Sequence, residues 1–362
     1  MGIYKNLILI YGILPYIKNC QNKSSLLLSI LLGFKKYKLK INNEDFIFLS
    51  TEYTKLFYLL ELLEISFYFK CTRDKKFIIS LDGQNEFMIN INNQNIEDKN
   101  LLELLAKGAK KSANFITNDS KISLREKEIK IYEKNGKKIV ETHEGIKFYL
   151  DSIHPHNSIV ETFIDRYHQI NSTERFDEKI VIDVGAECGD TALFYANLGA
   201  KVYSFEPIKE NFNDLKKNLQ LNPLLEKNII AINAGIGKDE TLNFFKDPIS
   251  PNLGASFVYN KRDNAIIEHV EGMSLDTVLE KFEINEVELL KLDCKGCEFF
   301  LSDSVLQKIK RIKIEYGGFH KSKNAVDLIQ QLKKAGFTSI IYRNSATRNI
   351  SNRNIGNIYS VK

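Results

Sequence analysis

The stretch VIDVGAECGDTALFYANLGAKVYSFEP, Val181 to Pro207, limits most what this chain can fold into. An apolar run ends at Asp183. A loop with Gly185 and Gly189 follows, then a short helical pattern stopped by Gly199, then a second apolar run closed by Glu206. Short, near-continuous apolar runs are strands covered on both faces, which places them in a parallel sheet flanked by helices. The stretch reads as the opening of a nucleotide-binding βαβ unit. The alternation continues downstream. Strand patterns fall at 180–184, 201–206, 228–233, 287–293 and 311–316. Helical patterns fall at 190–198, 208–221 and 322–335, the last with Ser322 as N-cap and Gly336 at its end. FTSIIYR and GNIYSVK form a terminal strand pair without a crossover helix, so the last strand is expected to run antiparallel. The expected fold class is α/β: a parallel, doubly wound sheet with an antiparallel last strand, preceded by a smaller α+β domain.

The glycine loop discriminates between nucleotides. It has no third glycine at the dinucleotide spacing, and Asp183, Glu187 and Asp190 make it acidic. A pyrophosphate carries about two negative charges and needs bare N–H groups at a helix N-terminus, not carboxylates. A ligand with a cationic centre, an ammonium group and ribose hydroxyls fits better, and S-adenosyl-L-methionine has all three. Glu206, at the end of the second strand, is placed to accept hydrogen bonds from ribose hydroxyls. A nicotinamide-dependent oxidoreductase is the competing enzyme class, disfavoured by the loop's acidity. The plainer reading of the same residues is a helix-capping Asp190 and a packing glycine.

VIDVGAECGDTALFYANLGAKVYSFEP, SLDTVLEKF, LLKLDCKGCE and IKIEYGGFH occur in an order that resembles the FkbM family of S-adenosylmethionine-dependent methyltransferases. ETFI, Glu161 to Ile164, also resembles archaeal members, and the resemblance covers about residues 145–345. It implies the seven-stranded, Rossmann-like fold of a class I methyltransferase. It also implies O-methylation, with the hydroxyl of a sugar, a glycan or a small natural product as acceptor. Carried over residue by residue, it places Asp183, Gly185, Glu187, Gly189, Asp190 and Thr191 around the methionine part and ribose. Glu206 would hold the ribose hydroxyls, and Asn233 and Ala234 would border the adenine. Asp293 would stand beside the transferred methyl, while Glu298, Glu315 and His320 fall in later motifs that face the acceptor. Two positions depart from the family pattern: Glu187 replaces an Asn, and Lys295 replaces an acidic residue before Gly296. A compensating Glu187–Lys295 pair is one expectation; two independent drifts are the other. Loss of activity through Lys295, leaving a cofactor-binding or scaffold protein of the same fold, is the alternative function.

Methyl transfer to a hydroxyl needs an aligned acceptor and a base. Asp293 and His320 are the leading candidates for the base, with Glu298 and Glu315 behind them. His320 also reads as a loop histidine, and Glu315 as a buried acid paired with a lysine. CKGC, Cys294 to Cys297, has redox or zinc spacing but no second ligand pair, and small residues packed near the cofactor are the expected reading. His154 and His156 with His168 are a weaker metal hint. No metal is expected.

Composition sets the remaining bounds. The chain has 362 residues, enough for two domains, with 43% hydrophobic and 27% charged residues and a net charge of +5. The lysines are dispersed and no dense basic stripe is present, which argues against nucleic acid as partner. An Asp-Pro-Pro-Tyr or Asn-Pro-Pro-Tyr motif after the fourth strand, expected for base methylation, is missing. The five cysteines are odd in number and widely spaced, so no disulfide framework is expected and a cytoplasmic setting fits. Residues 1–145 read as the α+β domain, on the acceptor side by position alone, and 146–362 as the cofactor-binding domain. In the first part, Thr51–Glu64 is helical, with Leu56, Leu59, Leu60 and Leu63 on one face, and Asn135-Gly136 marks a hairpin. Leu7–Ile17 and Ser24–Phe34 are apolar, divided by polar residues, and each too short to span a bilayer. They read as two buried helices, with contact to a membrane surface as the alternative. No cleavage site follows the first, and Asn6 stands where a myristoylation signal needs Ser or Thr.

Overall fold

Seven strands of the carboxy-terminal half form one sheet: β1 (Ile180–Val184), β2 (Lys201–Phe205), β3 (Ile229–Ile232), β4 (Val287–Leu292), β5 (Ile309–Tyr316), β6 (Thr338–Tyr342) and β7 (Gly356–Val361). Their spatial order is β3-β2-β1-β4-β5-β7-β6. All neighbouring pairs from β3 to β5 are parallel, and β7 is antiparallel to both β5 and β6, as the missing crossover predicts. The computed structural model describes residues 2–72, 74, 76–84, 86–90, 96–111, 114–117, 128–153, 157–169, 173–246, 266–316, 325–342 and 356–362. His154, His156, His320 and Ser322 lie outside the described residues.

The strands are apolar because both faces are covered. Val181, Ile182 and Val184 of β1 and Leu289, Leu290 and Leu292 of β4 are buried. Helices α1 (Asp190–Asn197), α2 (Lys209–Gln220), α3 (Leu275–Lys281), α4 (Asp303–Gln307) and α5 (Ala325–Lys334) alternate with them. The helical spacing turns Phe212, Leu215 and Leu219 of α2 inward; Leu215 and Leu219 are buried and Phe212 is half-buried. Ser274 caps α3 and Ser302 caps α4, each accepting from a backbone N–H three residues on at 3.1 Å. The chain runs outward from β1 to β3 and then crosses back to β4. This reversal leaves a crevice at the carboxyl ends of β1 and β4, where a ligand of an open α/β sheet binds. A small sheet of Gly235–Ile236, Thr241–Lys246 and Ile266–Met273, not expected from the sequence, intervenes between β3 and α3.

The chain divides into Met1–Asp165 and Arg166–Lys362. The break falls later than the expected 145. Lys147–Tyr149 pairs with Ile139–Glu141, and Asn100 Nδ2 donates to the Leu150 carbonyl at 2.8 Å, so this segment closes the first unit. The helical spacing of Val160, Phe163, Ile164 and Tyr167 predicts a helix from Ser158, but it is cut short. Asn157–Ile159 is one turn, Val160–Ile164 is wound as a π-turn, and Arg166 has φ +53°, which ends it.

The first unit contains helices Tyr53–Ile65 and Ile96–Lys110, hairpin Lys36–Ile41/Glu44–Leu49, and sheets of three and four strands. Leu56, Leu59, Leu60 and Leu63 are buried, as their spacing predicts. Strands Glu128–Lys134 and Lys137–Glu141 turn at Asn135-Gly136, both with positive φ. Helices Gly2–Ile13 and Lys23–Leu31 form, but they are not simply buried. Ile13, Leu26 and Ile30 face inward, whereas Leu7, Tyr11, Leu28 and Leu32 are exposed.

Candidate active site

The loop after β1 is shaped by close approach of its neighbours. Gly185 has φ +77°, and a Cβ there would lie 2.0 Å from the Asp293 carbonyl oxygen. Only glycine lets the two strand ends meet so closely. The Asp293 N–H donates to the Val184 carbonyl at 3.0 Å, extending the β1–β4 ladder into the loops. Gly189, at φ +87°, starts α1 and faces Leu215 of α2. The Asn218 side chain donates to the Cys188 carbonyl at 2.9 Å and holds the loop from the α2 side.

Glu206 ties the loop to the end of β2. One carboxylate oxygen accepts from the Glu187 N–H at 2.9 Å; the other accepts from the Ile208 N–H at 3.0 Å and Asn211 Nδ2 at 3.4 Å. Burial pushes its pKa up to about 7, against the opposing pull of these donors. Glu187 is raised well above the carboxylate range by burial and by Asp190, Glu206 and Asp293. Its Oε1 is buried without a hydrogen-bond partner. Four acids thus crowd one pocket of the loop, and a bound positive charge would relieve them. Asn233 Nδ2 donates to the carbonyls of Glu206 and Pro207 at 2.8 and 3.0 Å, fixing the chain after β2. Ala234 is fully buried beside it.

Asp183 and Thr191 are turned inward. Thr191 Oγ1 donates to Asp183 Oδ2 at 2.6 Å, and the Lys291 ammonium lies 2.9 Å from Asp183 Oδ1. Lys291 also donates to the Gly185 carbonyl at 2.8 Å. Burial works against the Lys291 charge, but Asp183, Asp293 and Asp190 outweigh it and raise its pKa. Asp183 is fully buried, so it positions the loop through Thr191 and Lys291. Sequence reasoning passed over Lys291. The signal was a lysine inside the apolar run VELLKLD, where a strand buried on both faces tolerates charge only with a partner.

Beyond β4, Lys295 lies between two acids: its ammonium is 2.6 Å from Asp293 Oδ1 and 3.1 Å from Glu315 Oε1. All three side chains are partly exposed, unlike Asp183 and Lys291. Burial disfavours each charge, yet Lys295 and Lys291 hold the Asp293 carboxyl below its usual range, and Lys295 is raised in turn. Glu315 is raised, chiefly by the Asp293 charge. Lys295 thus pairs with Asp293 and Glu315, and Lys291 is a cation that acts on Glu187. Both departures from the family pattern share a backbone feature: Glu187 has φ +49° and Lys295 φ +51°. Asn adopts this region more readily than Glu, which gives the family preference at position 187 a steric reason.

Glu298 is fully buried and accepts from the Gly296 N–H at 2.7 Å. Burial lifts its pKa to about 7. It braces the loop from inside, whereas Asp293 and Glu315 reach the opening. Cys294 and Cys297 are joined by a disulfide. This corrects the expectation of unlinked small residues, though the bond closes a local turn and is not a framework across the chain. Ligand atoms of Cys294, Cys297 and Glu298 lie within 4.8 Å of one another, but the disulfide removes both thiolates from metal chemistry. His168, the third histidine of the weak metal hint, is instead packed against Lys313, with 3.0 Å between Nδ1 and Nζ.

Residues 183–339 match the family model described as methyltransferase FkbM domain. The fold is similar to FkbM methyltransferase from Methylobacillus flagellatus, with 15% identity over 58% of this chain and 54% of that one, and a TM-score of 0.37. The chain thus spans about half the length of that protein. It is also similar to an rRNA methylase from Streptococcus thermophilus, with 16% identity over 51% of this chain and 87% of that one, and a TM-score of 0.30. A third similar structure is M. jannaschii TYW2 in complex with S-adenosylmethionine, with 16% identity over 66% of this chain and 87% of that one, and a TM-score of 0.34. No curated protein matches the sequence. The stretch that matches the methyltransferase FkbM domain model runs from the end of β1 into β6.

Proposed function

We propose that the chain is an S-adenosylmethionine-dependent O-methyltransferase acting on a hydroxyl of a sugar, a glycan or a small natural product. The observation that carries this reading is the acid-lined loop between β1 and α1, closed by Glu206 and opening toward Asp293. The residues fit the cofactor: Glu187 Oε1 is buried and unpartnered, and the carboxylates around it favour a cationic ligand over a pyrophosphate. When bound, S-adenosylmethionine supplies an electrophilic methyl group on its sulfonium.

The chain's own groups do the rest. Glu206 is the acceptor for ribose hydroxyls, while Glu187 and Asp190 balance the ligand's positive charge. Asn233 and Ala234 border the adenine. Asp293 takes the acceptor's proton as the methyl is transferred, and the Lys295 ammonium 2.6 Å away positions its carboxylate. Glu315 positions Lys295 from the other side. Lys295 itself stays protonated and is no base. In this role the family departure at 295 keeps a carboxylate charged and does not disable the site.

The test is Asp293→Asn, assayed with radiolabelled S-adenosylmethionine against a panel of glycans and small hydroxylated compounds. Turnover should fall by about 10²-fold or more, the share of a positioned base. S-adenosylhomocysteine binding, followed by calorimetry, should stay within about threefold, since each tenfold is only about 1.4 kcal/mol. Full turnover in the variant removes Asp293 as the base, and transfer to RNA instead of hydroxyl compounds replaces the acceptor class.

A further inference from the structure

We propose that helices Gly2–Ile13 and Lys23–Leu31 seat the amino-terminal unit on the surface of an anionic lipid bilayer, lying in its plane. Leu7, Tyr11 and Leu14 recur at helical spacing, as do Leu28 and Leu32, and all are exposed. Tyr11 is 81% exposed, and Leu28, Leu32 and Phe34 are each more than half exposed. The two helices are held side by side: Asn6 Nδ2 donates to the Leu31 carbonyl at 3.0 Å, which brings the Leu7 end of the first helix to the Leu32–Phe34 end of the second. Their other faces supply Ile13, Leu26 and Ile30 to the core. The exposed apolar side chains of the two adjacent helices thus stand on a packed support.

Charge decides the occupant. The first 43 residues contain seven lysines and no Asp or Glu. Lys18 and Lys38 pair with Glu64 and Asp45 from the chain beyond. Lys23, Lys35 and Lys36 are exposed, and Lys35 and Lys36 directly follow Phe34. Exposed apolar side chains flanked by Lys23, Lys35 and Lys36 are complementary to a surface that is apolar below and negatively charged above. Such helices bury their apolar face at the headgroup boundary while basic side chains meet lipid phosphates, each lysine contributing about 1 kcal/mol. Spanning is not in question, since among the described residues no helix is long and apolar enough to cross a membrane.

The experiment is co-sedimentation of the full chain with vesicles of phosphatidylcholine alone and of phosphatidylcholine with roughly one third phosphatidylserine. The protein should pellet with the anionic vesicles, not with the neutral ones, and high salt should release it. Leu28→Asp/Leu32→Asp and, separately, Lys35→Glu/Lys36→Glu should each lower partitioning about tenfold or more. All four positions are solvent-exposed, so both variants should keep the wild-type circular dichroism spectrum and melting temperature. Equal binding to neutral vesicles overturns the electrostatic half of the proposal. Absence of binding to either overturns the whole, and a concentration-dependent dimer abolished by Leu28→Asp/Leu32→Asp would assign the patch to a second copy of the chain.

Discussion

Glu206 gives the sharpest test, because its two roles respond to pH in opposite directions. Its folded pKa is about 7, against 4.5 for an ordinary glutamate, and burial is the cause. A raised carboxylate pKa contributes stability that is fully present below about pH 4.5 and is lost as pH rises through about 7. The difference is worth about 3 kcal/mol at about 1.4 kcal/mol per unit. The ligand-free protein should therefore melt at a lower temperature at about pH 8 than at about pH 5, and Glu206→Gln should flatten part of that decline. Ligand binding runs the other way. Only the ionised carboxylate is a full acceptor for two ribose hydroxyls. With a pKa near 7, the ionised fraction rises from about one tenth at pH 6 to about nine tenths at pH 8, so affinity for S-adenosylhomocysteine should rise about tenfold. Calorimetry at both pH values, repeated in buffers of different ionisation enthalpy, reads the affinity and the proton released on binding near pH 6. In Glu206→Gln, affinity should be weaker at pH 8 by about 1.5–3 kcal/mol, the worth of hydrogen bonds to a charged group. The variant should also lose this share of the pH dependence, whatever Glu187 and Glu298 add. A wild-type affinity flat across this range with no proton release, or a slope unchanged in the variant, would refute the assignment of Glu206.

Three further outcomes follow from the packing. Gly185→Ala would drive a Cβ to 2.0 Å from the Asp293 carbonyl at positive φ, and should destabilise by on the order of 4 kcal/mol, read by denaturant unfolding. Lys291→Met leaves Asp183 buried without its cation and should cost about 3–5 kcal/mol, part of it recovered by adding Asp183→Asn. The Cys294–Cys297 bond should appear as a crosslinked peptide in mass spectrometry of unreduced protein. Because it closes only a short loop, its reduction should cost about 2 kcal/mol.

Much of the cofactor half was legible in the sequence because its signals are local. Apolar runs mark β1, β2 and β4, and Gly185 and Gly189 mark the loop. The missing crossover before β7 gives its direction. Asp293 and Glu206 fall at strand ends simply because those runs stop there. What was not legible depends on contacts across the sheet. Lys295 sits two residues from Asp293 in the chain, but its bond to Glu315 is set by the adjacency of β4 and β5. A Glu187–Lys295 pairing rests on opposite charge and neighbouring strands, without the left-handed turns that orient both residues. Lys291 was hidden because a lone lysine in a lysine-rich chain carries little information. The helical period from Ser158 was genuine, yet Arg166 ends the segment with a backbone angle that periodicity does not encode. At the amino terminus, apolar spacing located both helices but not which of their faces the rest of the unit covers.

The buried pair inside the sheet has a consequence for assembly. IVIDV and VELLKL are almost uniformly apolar, so β1 could slide along β4 with little change in the greasy surface it hides. Asp183 stands opposite Lys291 in the ladder, and Lys291 stands opposite Lys313. Any misaligned β1 would strand a carboxylate among hydrocarbon and leave an ammonium with no counter-charge. These few polar atoms thus act as an index mark, selecting one alignment among several that oil-like packing alone would accept. That same alignment brings the Val184 carbonyl to the Asp293 N–H and so sets the spacing of the crevice at the strand ends.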